Sequence, residues 1–267
     1  FFEYVKNNVV DEVFINGNTI ASSQALADDL LEMGVTVHFN LVHASKLMPN
    51  KVIEQCGNYM VLTSSMCIAT PRQLFFKRLM DIVGGFVGLV IAGIATIIFA
   101  PIIKKQSPGP IFFSQIRVGK NGRKFRFYKF RSMKVNKESD TLQATLNDPR
   151  KTKFGDFMRR TNIDELPQFI NVLLGDMSIV GPRPHMLKHT EEYSKIINKY
   201  MVRHFIKPGI TGWAQVTGFR GETRELEDME GRVKADIWYM EHWSFLLDLY
   251  IMYKTVANVL NKDKQAY

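Results

Sequence analysis

Asp164 and Glu165 are adjacent carboxylates, with Arg159 and Arg160 just upstream and Arg183 downstream between Pro182 and Pro184. Carboxylates beside arginines can supply a nucleophile next to a bound phosphate. The spacing of Leu166, Phe169, Ile170, Leu173 and Leu174 predicts an amphipathic helix, and Pro167 confines its start to near Asp164. Amides at a helix start favour anions, and that field would keep a carboxylate ionised. The pair also reads simply as an N-cap and a first-turn acid, each worth about 1 kcal/mol. Arg183, held by its flanking prolines, is a rigid cationic fork suited to a diphosphate. Two further turn-rich loops, KPGITGWAQ at 207–215 and GFRGET at 218–223 with Arg220, add Gly and Pro beside Arg and Trp.

The elements that must position these groups come from a chain of 267 residues, 46% hydrophobic and 23% charged. That composition supports a core and excludes disordered and collagen-like architectures. Two cysteines, Cys56 and Cys67, are too few for a disulfide framework and fit a reducing compartment. The chain starts at Phe1 and reads as a piece of a longer one.

The net charge of +9 points to an anionic partner, but it is local. Residues 1–70 hold three basic and seven acidic side chains, whereas residues 104–137 hold eleven basic and no acidic ones. Just before that basic stretch, residues 82–103 carry no charge, enough for a helix of about 33 Å. Lys77 and Arg78 precede it and Lys104 and Lys105 follow, so both ends prefer the cytoplasmic side. A re-entrant hairpin satisfies both flanks, and the glycines 84, 85, 88 and 93 with Pro101 weaken a straight helix.

Residues 1–70 alternate strand, helix and strand: 10–15, 22–33 ended by Gly34, 35–41 and 59–62. That order predicts a parallel sheet, without a glycine-rich nucleotide fingerprint. Beyond Pro110, IFFSQIRVG and RKFRFYKFRSM flank Asn121-Gly122, a strong hairpin signal, with a bulge or strand end expected near Phe127 and Tyr128. Residues 136–153 read as a polar loop or short helix. His185 and His189 have metal-ligand spacing without an evident third ligand and read as ordinary polar positions. Trp238, Tyr239, Trp243 and Phe245 fit either an interfacial belt or core packing, and residues 245–260 fit an amphipathic surface helix.

KRLMDIVGG, SPGPIFFSQIRVGKNGRKFRFYKFRSM, RRTNIDELPQFINVLLGDMSIVGPRP, KPGITGWAQVTGFRGET and SFLLDLYIM together resemble the bacterial sugar transferase family of monotopic polyprenol-phosphate phosphoglycosyl transferases. The resemblance implies an α+β membrane-associated catalytic domain with a re-entrant membrane helix hairpin, preceded by a partial Rossmann-like α/β domain. Its boundaries would be 1–70 for the Rossmann-like part, 72–260 for the transferase domain with 82–103 re-entrant, and 261–267 for a tail. It implies transfer of a sugar-1-phosphate from a UDP-sugar to undecaprenyl phosphate at the cytoplasmic face of the bacterial inner membrane, releasing UMP and initiating polysaccharide assembly.

By the same resemblance Asp164 is the nucleophile of a ping-pong reaction and Glu165 its acid/base or electrostatic partner. Lys129, Arg159, Arg183 and Arg220 match positions that bind phosphate or UMP, and Mg2+ is held partly by Asp164. The RGET form is nearer the glucose-1-phosphate branch, which favours UDP-glucose. The family's usual Ser-Pro pair is replaced by Gly93 and Ile94, making Gly93 the candidate hinge. A homodimer is one option that sequence does not decide. The rival reading, a membrane-tethered nucleic-acid-binding module, rests on the aromatics interleaved with Arg and Lys at 117–131. The adjacent apolar segment favours a phosphorylated lipid and no nucleic acid.

Overall fold

The computed structural model describes residues 1–16, 20–40, 51–64, 69–135, 148–219, 221 and 225–260. After a short helix α1 (Phe2–Asn7), the N-terminal unit comprises β1 (Glu12–Ile15), α2 (Ile20–Glu32), β2 (Thr36–Asn40), β3 (Lys51–Cys56) and β4 (Tyr59–Ser64). Leu30 and Leu31 of α2 pack on Val37 and Phe39 of β2, and Gly34 ends the helix with a φ of 80°. The sheet order is β1-β2-β4-β3. The expected parallel sheet is therefore corrected: β1 and β2 are parallel, but β4 runs antiparallel to both β2 and β3. A two-residue turn after Cys56 permits only an antiparallel return, whereas a parallel one needs a long crossover.

Helix α3 (Pro71–Gln106) is the longest element, 36 residues or about 54 Å. Thr70 and Gln73 form a capping box and Pro71 occupies the first turn, where no amide donor is needed. The helix continues unbroken through Gly93 and Pro101, in place of a hairpin kinked at Gly93. Gly84 and Gly88 serve contact rather than bending. A Cβ at Gly84 would overlap Ile179 and one at Gly88 the Phe169 ring, while Gly93 faces open space.

One face of α3 meets protein from Lys77 to Gln106. Lys77 reaches Asp248, Arg78 the carbonyls of Val172 and Leu173, and Asp81 Ser178. Ala95 and Ile103 join Phe130 and Met158 in a small core, and the Gln106 side chain accepts from Phe154 N at 3.0 Å. The opposite face is an exposed apolar stripe, including Val83, Phe86, Val87, Val90, Ile94, Ile97 and Ile98.

Strands β5 (Phe112–Val118) and β6 (Lys124–Phe130) form the expected hairpin around Asn121 and Gly122, both at positive φ. Their ladder is continuous from Phe112↔Phe130 to Val118↔Lys124, so no bulge interrupts it at Phe127 and Tyr128. The shift in sequence pattern has another cause. Phe125 and Phe127 enter the central core on one face, while Phe130 on the other face is covered by Phe99 and Met158.

Residues 136–147 lie outside the described residues, and α4 (Lys153–Thr161) follows. The remaining elements are α5 (Phe169–Leu174), β7 (Ser178–Val180), α6 (Leu187–Ile196), β8 (Gly209–Thr211), α7 (Trp213–Val216), α8 (Leu226–Glu241) and α9 (Phe245–Leu260). Tyr239 is buried and Trp243 packs against the central core, whereas Trp238, stacked on Trp213 at 4.6 Å, and Phe245 remain exposed, so the group divides between core and surface. On α9 the exposed residues include the apolar Phe245, Leu246, Leu249, Tyr250, Tyr253, Val256 and Val259.

Candidate active site

Asp164 and Glu165 do not begin an α-helix. They lie in a 3-10 segment, Ile163–Gln168, entered through Asn162 in the left-handed conformation (φ 57°). Asn162 closes α4 and opens the 3-10 segment, so the expected N-cap role of Asp164 is not realised. Both carboxylates are buried, at 4% and 8% exposure.

Lys129, on β6, donates to Glu165 Oε1 at 2.6 Å and lies 3.8 Å from Asp164 Oδ2. Arg183 donates to both Glu165 oxygens, at 3.1 and 2.5 Å. Asn171 ties the hairpin to this region, since its side chain donates to Arg126 O at 2.7 Å and accepts from Tyr128 N. β7 pairs in parallel with β8, joining the Gly-Pro-Arg-Pro loop to the 207–215 loop. Gly209 lies against the Gly181 backbone, where a Cβ would overlap main-chain atoms.

The surroundings push the two carboxylates apart. Burial raises both, but at Glu165 the charges of Arg183 and Lys129 overcome it and hold the carboxyl well below its ordinary range. Burial raises Asp164, and the Glu165 charge adds to this against the pull of Lys129. The local field thus acts unequally: Arg183 and Lys129 keep the second carboxylate ionised, while at the first burial outweighs their pull. Burial also lowers the Lys129 ammonium.

Four of the six sequence-selected residues, Asp164, Glu165, Lys129 and Arg183, meet at one place. Arg159 stands apart from direct contact, donating to Ser132 Oγ at 2.9 Å and reaching Met133, although its charge is felt at Asp164. Arg220 lies outside the described residues. Among the described residues no group of three or more His, Cys, Asp or Glu side chains could hold a metal ion. His185 is buried between the Tyr200 hydroxyl, at 2.6 Å, and Arg203, an ordinary polar position as read from sequence.

Several basic residues of the 104–137 stretch are turned to protein acceptors. Arg117 donates to Pro184 O, Arg131 to Pro108 O at 2.8 Å, and Arg123 pairs with Asp11. Sequence reading missed Arg203 and Asp236, a buried pair at 2.7 Å that also holds the Arg183 carbonyl at 2.9 Å. No motif in YMVRHF marks Arg203. Gln215 lay inside a recognised loop, yet nothing singled it out.

The profile of the bacterial sugar transferase family matches residues 72–262. The chain belongs to that family. It is 43% identical over 274 residues to a UDP-glucose:undecaprenyl-phosphate glucose-1-phosphate transferase of Xanthomonas campestris pv. campestris, covering 99% of this chain and 56% of that one. It is 52% identical over 181 residues to the protein so named in Escherichia coli (strain K12), covering 67% and 39%. A galactosyl transferase of Streptococcus agalactiae serotype III (strain NEM316) is 41% identical over 250 residues, covering 89% and 54%. The chain thus spans about half the length of the Xanthomonas and Streptococcus relatives and less of the Escherichia one. The match to the bacterial sugar transferases contains the whole carboxylate and cation cluster and all of α3 but its first residue.

Proposed function

We propose that this chain carries the catalytic part of a phosphoglycosyl transferase, moving a sugar-1-phosphate from a UDP-sugar to undecaprenyl phosphate and releasing UMP. The observation that carries this reading is the buried Asp164 beside a Glu165 held by Lys129 and Arg183, in a bacterial sugar transferase. In the first half-reaction an Asp164 oxygen attacks the sugar-linked phosphorus, and the bond from that phosphorus to the bridging oxygen breaks, releasing UMP. In the second, an oxygen of the lipid phosphate attacks the same phosphorus and frees the Asp164 carboxylate. Undecaprenyl diphosphate-linked sugar is the product.

Glu165 stays ionised throughout, clamping Arg183 and Lys129 beside Asp164 so that both cations can lean on phosphate oxygens as charge builds there. Arg159 adds long-range positive charge. A single magnesium ion fits this donor set: both Glu165 oxygens are engaged, Asp164 is the remaining carboxylate, and Mg2+ commonly takes one or two carboxylates plus substrate phosphates. When bound there it would supply neutralisation of the diphosphate charge. UDP-glucose is the favoured sugar donor, supported by the names of the Xanthomonas and Escherichia relatives.

The apolar outer face of α3 is the membrane-inserting surface, with the exposed apolar residues of α9 beside it. Because one domain contacts α3 from Lys77 to Gln106, both ends stay on one side of the bilayer, meeting by a single rigid helix what the charged flanks required. Residues 72–260 are the transferase domain, and within residues 1–70 only the parallel β1-α2-β2 part supports a Rossmann-like unit. The test is UMP release from UDP-glucose and undecaprenyl phosphate in detergent, run across a panel of UDP-sugars. Absence of UMP with every donor would overturn the reading. Fractionation after a salt wash tests the membrane assignment: an inserted helix stays with the membrane, whereas a protein held by charge is released.

A further inference from the structure

A cleft opens beside Glu165. Glu165, Leu166 and Phe169 form one wall, Gln215 and Val216 of α7 face them, and Val259 of α9 lies at the third side. The lining is largely apolar, yet two polar side chains in it are unmatched. Gln215 is nine-tenths buried, and its Nε2 donates to Ile210 O at 3.1 Å, which assigns the two ends of the amide. Its Oε1 is buried and meets no donor among the described residues. Asn162 also lines the cleft, and its Nδ2 is buried without an acceptor among the described residues.

A buried acceptor and a buried donor each cost about 1–3 kcal/mol while unpaired, so the natural occupant must satisfy both. An isoprenoid chain matches the apolar lining and satisfies neither. A pyranose ring does both: its C–H face lies on groups such as Leu166 and Phe169, and its hydroxyls donate and accept around the rim. Resting on the transferase reading, we propose that this cleft is the hexose subsite. Gln215 Oε1 accepts from one ring hydroxyl and Asn162 Nδ2 donates to another, and together they select which UDP-sugar reacts. The position suits that role, because Glu165 forms part of the wall and Asp164 is its chain neighbour.

Two variants test the assignment. Gln215→Met keeps the length of the side chain and removes the acceptor together with the Nε2 donor to Ile210 O. Asn162→Gly keeps access to the left-handed backbone and removes the donor. Each is expected to lower kcat/KM for the preferred UDP-sugar by about 10–100-fold, the equivalent of one lost hydrogen bond to a buried group. Poorer donors should lose less, so the ratio between sugars shrinks, while the Ki of UMP and the KM of undecaprenyl phosphate stay within about twofold. A raised KM for the lipid phosphate would give the cleft to the isoprenoid, and weaker UMP inhibition would give it to the nucleotide. Equal loss across all UDP-sugars would equally overturn the proposal.

A second measurement needs no turnover. Saturation transfer from the detergent-solubilised protein to glucose 1-phosphate, galactose 1-phosphate and N-acetylglucosamine 1-phosphate should label the ring protons of at least one. That signal should fall in Gln215→Met. No labelling by the wild type, or the same labelling in both proteins, overturns the subsite. Labelling that depends on Gln215 in a protein that releases no UMP would instead sink the transferase reading and leave the subsite standing.

Discussion

Arg183 grips Glu165 with both prongs of its guanidinium, Nη1 on Oε2 at 3.1 Å and Nη2 on Oε1 at 2.5 Å. Its own backbone carbonyl is held from behind by Arg203, which is paired with Asp236. The second carboxylate of the dyad is therefore fixed by an arginine that is itself fixed.

Replacing Arg183 by Ala should cost about 2–3 kcal/mol at neutral pH, towards the low end for a broken buried pair because Lys129 remains on Glu165. Glu165 has a lowered folded-state pKa, so its contribution is present above the ordinary carboxylate value and lost as pH falls through the folded value. The variant raises that folded value. Thermal unfolding against pH should therefore show wild type and Arg183→Ala far apart at pH 7 and converging in acid.

Asp164 titrates the other way. Its folded pKa is raised by burial first and by Glu165 second, so ionising it opposes folding as pH rises through that value. Asp164→Asn should melt higher than wild type at pH 7, with the gap closing in acid, while UMP release falls to background. Full UMP release in this variant would remove the proposed nucleophile.

The pH profile of the first half-reaction offers a separate check. As the proposed nucleophile, Asp164 has to attack when ionised, and Lys129 at 3.8 Å favours that form. Lys129→Met should move the acid limb of kcat/KM for UMP release to higher pH, besides lowering its plateau. An unmoved limb would mean that another group sets it.

The two halves of α3 should respond differently to one added methyl. At Gly88 it would overlap the Phe169 ring, and Gly88→Ala should cost about 1–3 kcal/mol and much of the activity. At Gly93 it meets open space, and Gly93→Ala should stabilise by about 0.5–1 kcal/mol with activity kept. Loss of activity in Gly93→Ala, measured beside its melting temperature, would restore a hinge at that position.

Asp248 is fully buried and takes Lys77, Tyr239 and Trp243 as donors, fastening α3 to α8 and α9. Asp248→Asn leaves the Lys77 charge largely buried without its counter-ion, at a cost of about 3 kcal/mol. In a domain of this size that is a fall in Tm of about 6–12 °C.

What the sequence made legible was local or carried by motifs. Asn121 and Gly122 specify their hairpin through positive φ within the turn itself. The dyad, Lys129 and Arg183 sit in recognisable runs, and the structure brings them together. What stayed hidden depends on partners distant in the chain. Adjacent Asp164 and Glu165 look alike in sequence, and their opposite pKa shifts follow from where Lys129 and Arg183 fold to. The α3 glycines read as helix breakers because Phe169 and Ile179, which need their missing side chains, lie more than 80 residues on. Arg203 and Asp236 form no motif, and the antiparallel return of β4 depended on a strand that sequence reading did not identify.

Gly88 also has a consequence for where the reaction takes place. Phe169, pressed onto that bare stretch of helix, follows Glu165 by about one helical turn, so the dyad is tied to a fixed point along a rigid rod. If the rod's outer face lies in the bilayer as proposed, the absent methyl groups work as a depth gauge. They would then set how far the proposed reacting carboxylate stands from the lipid surface, and a bulkier residue there would lift the dyad away from the lipid phosphate.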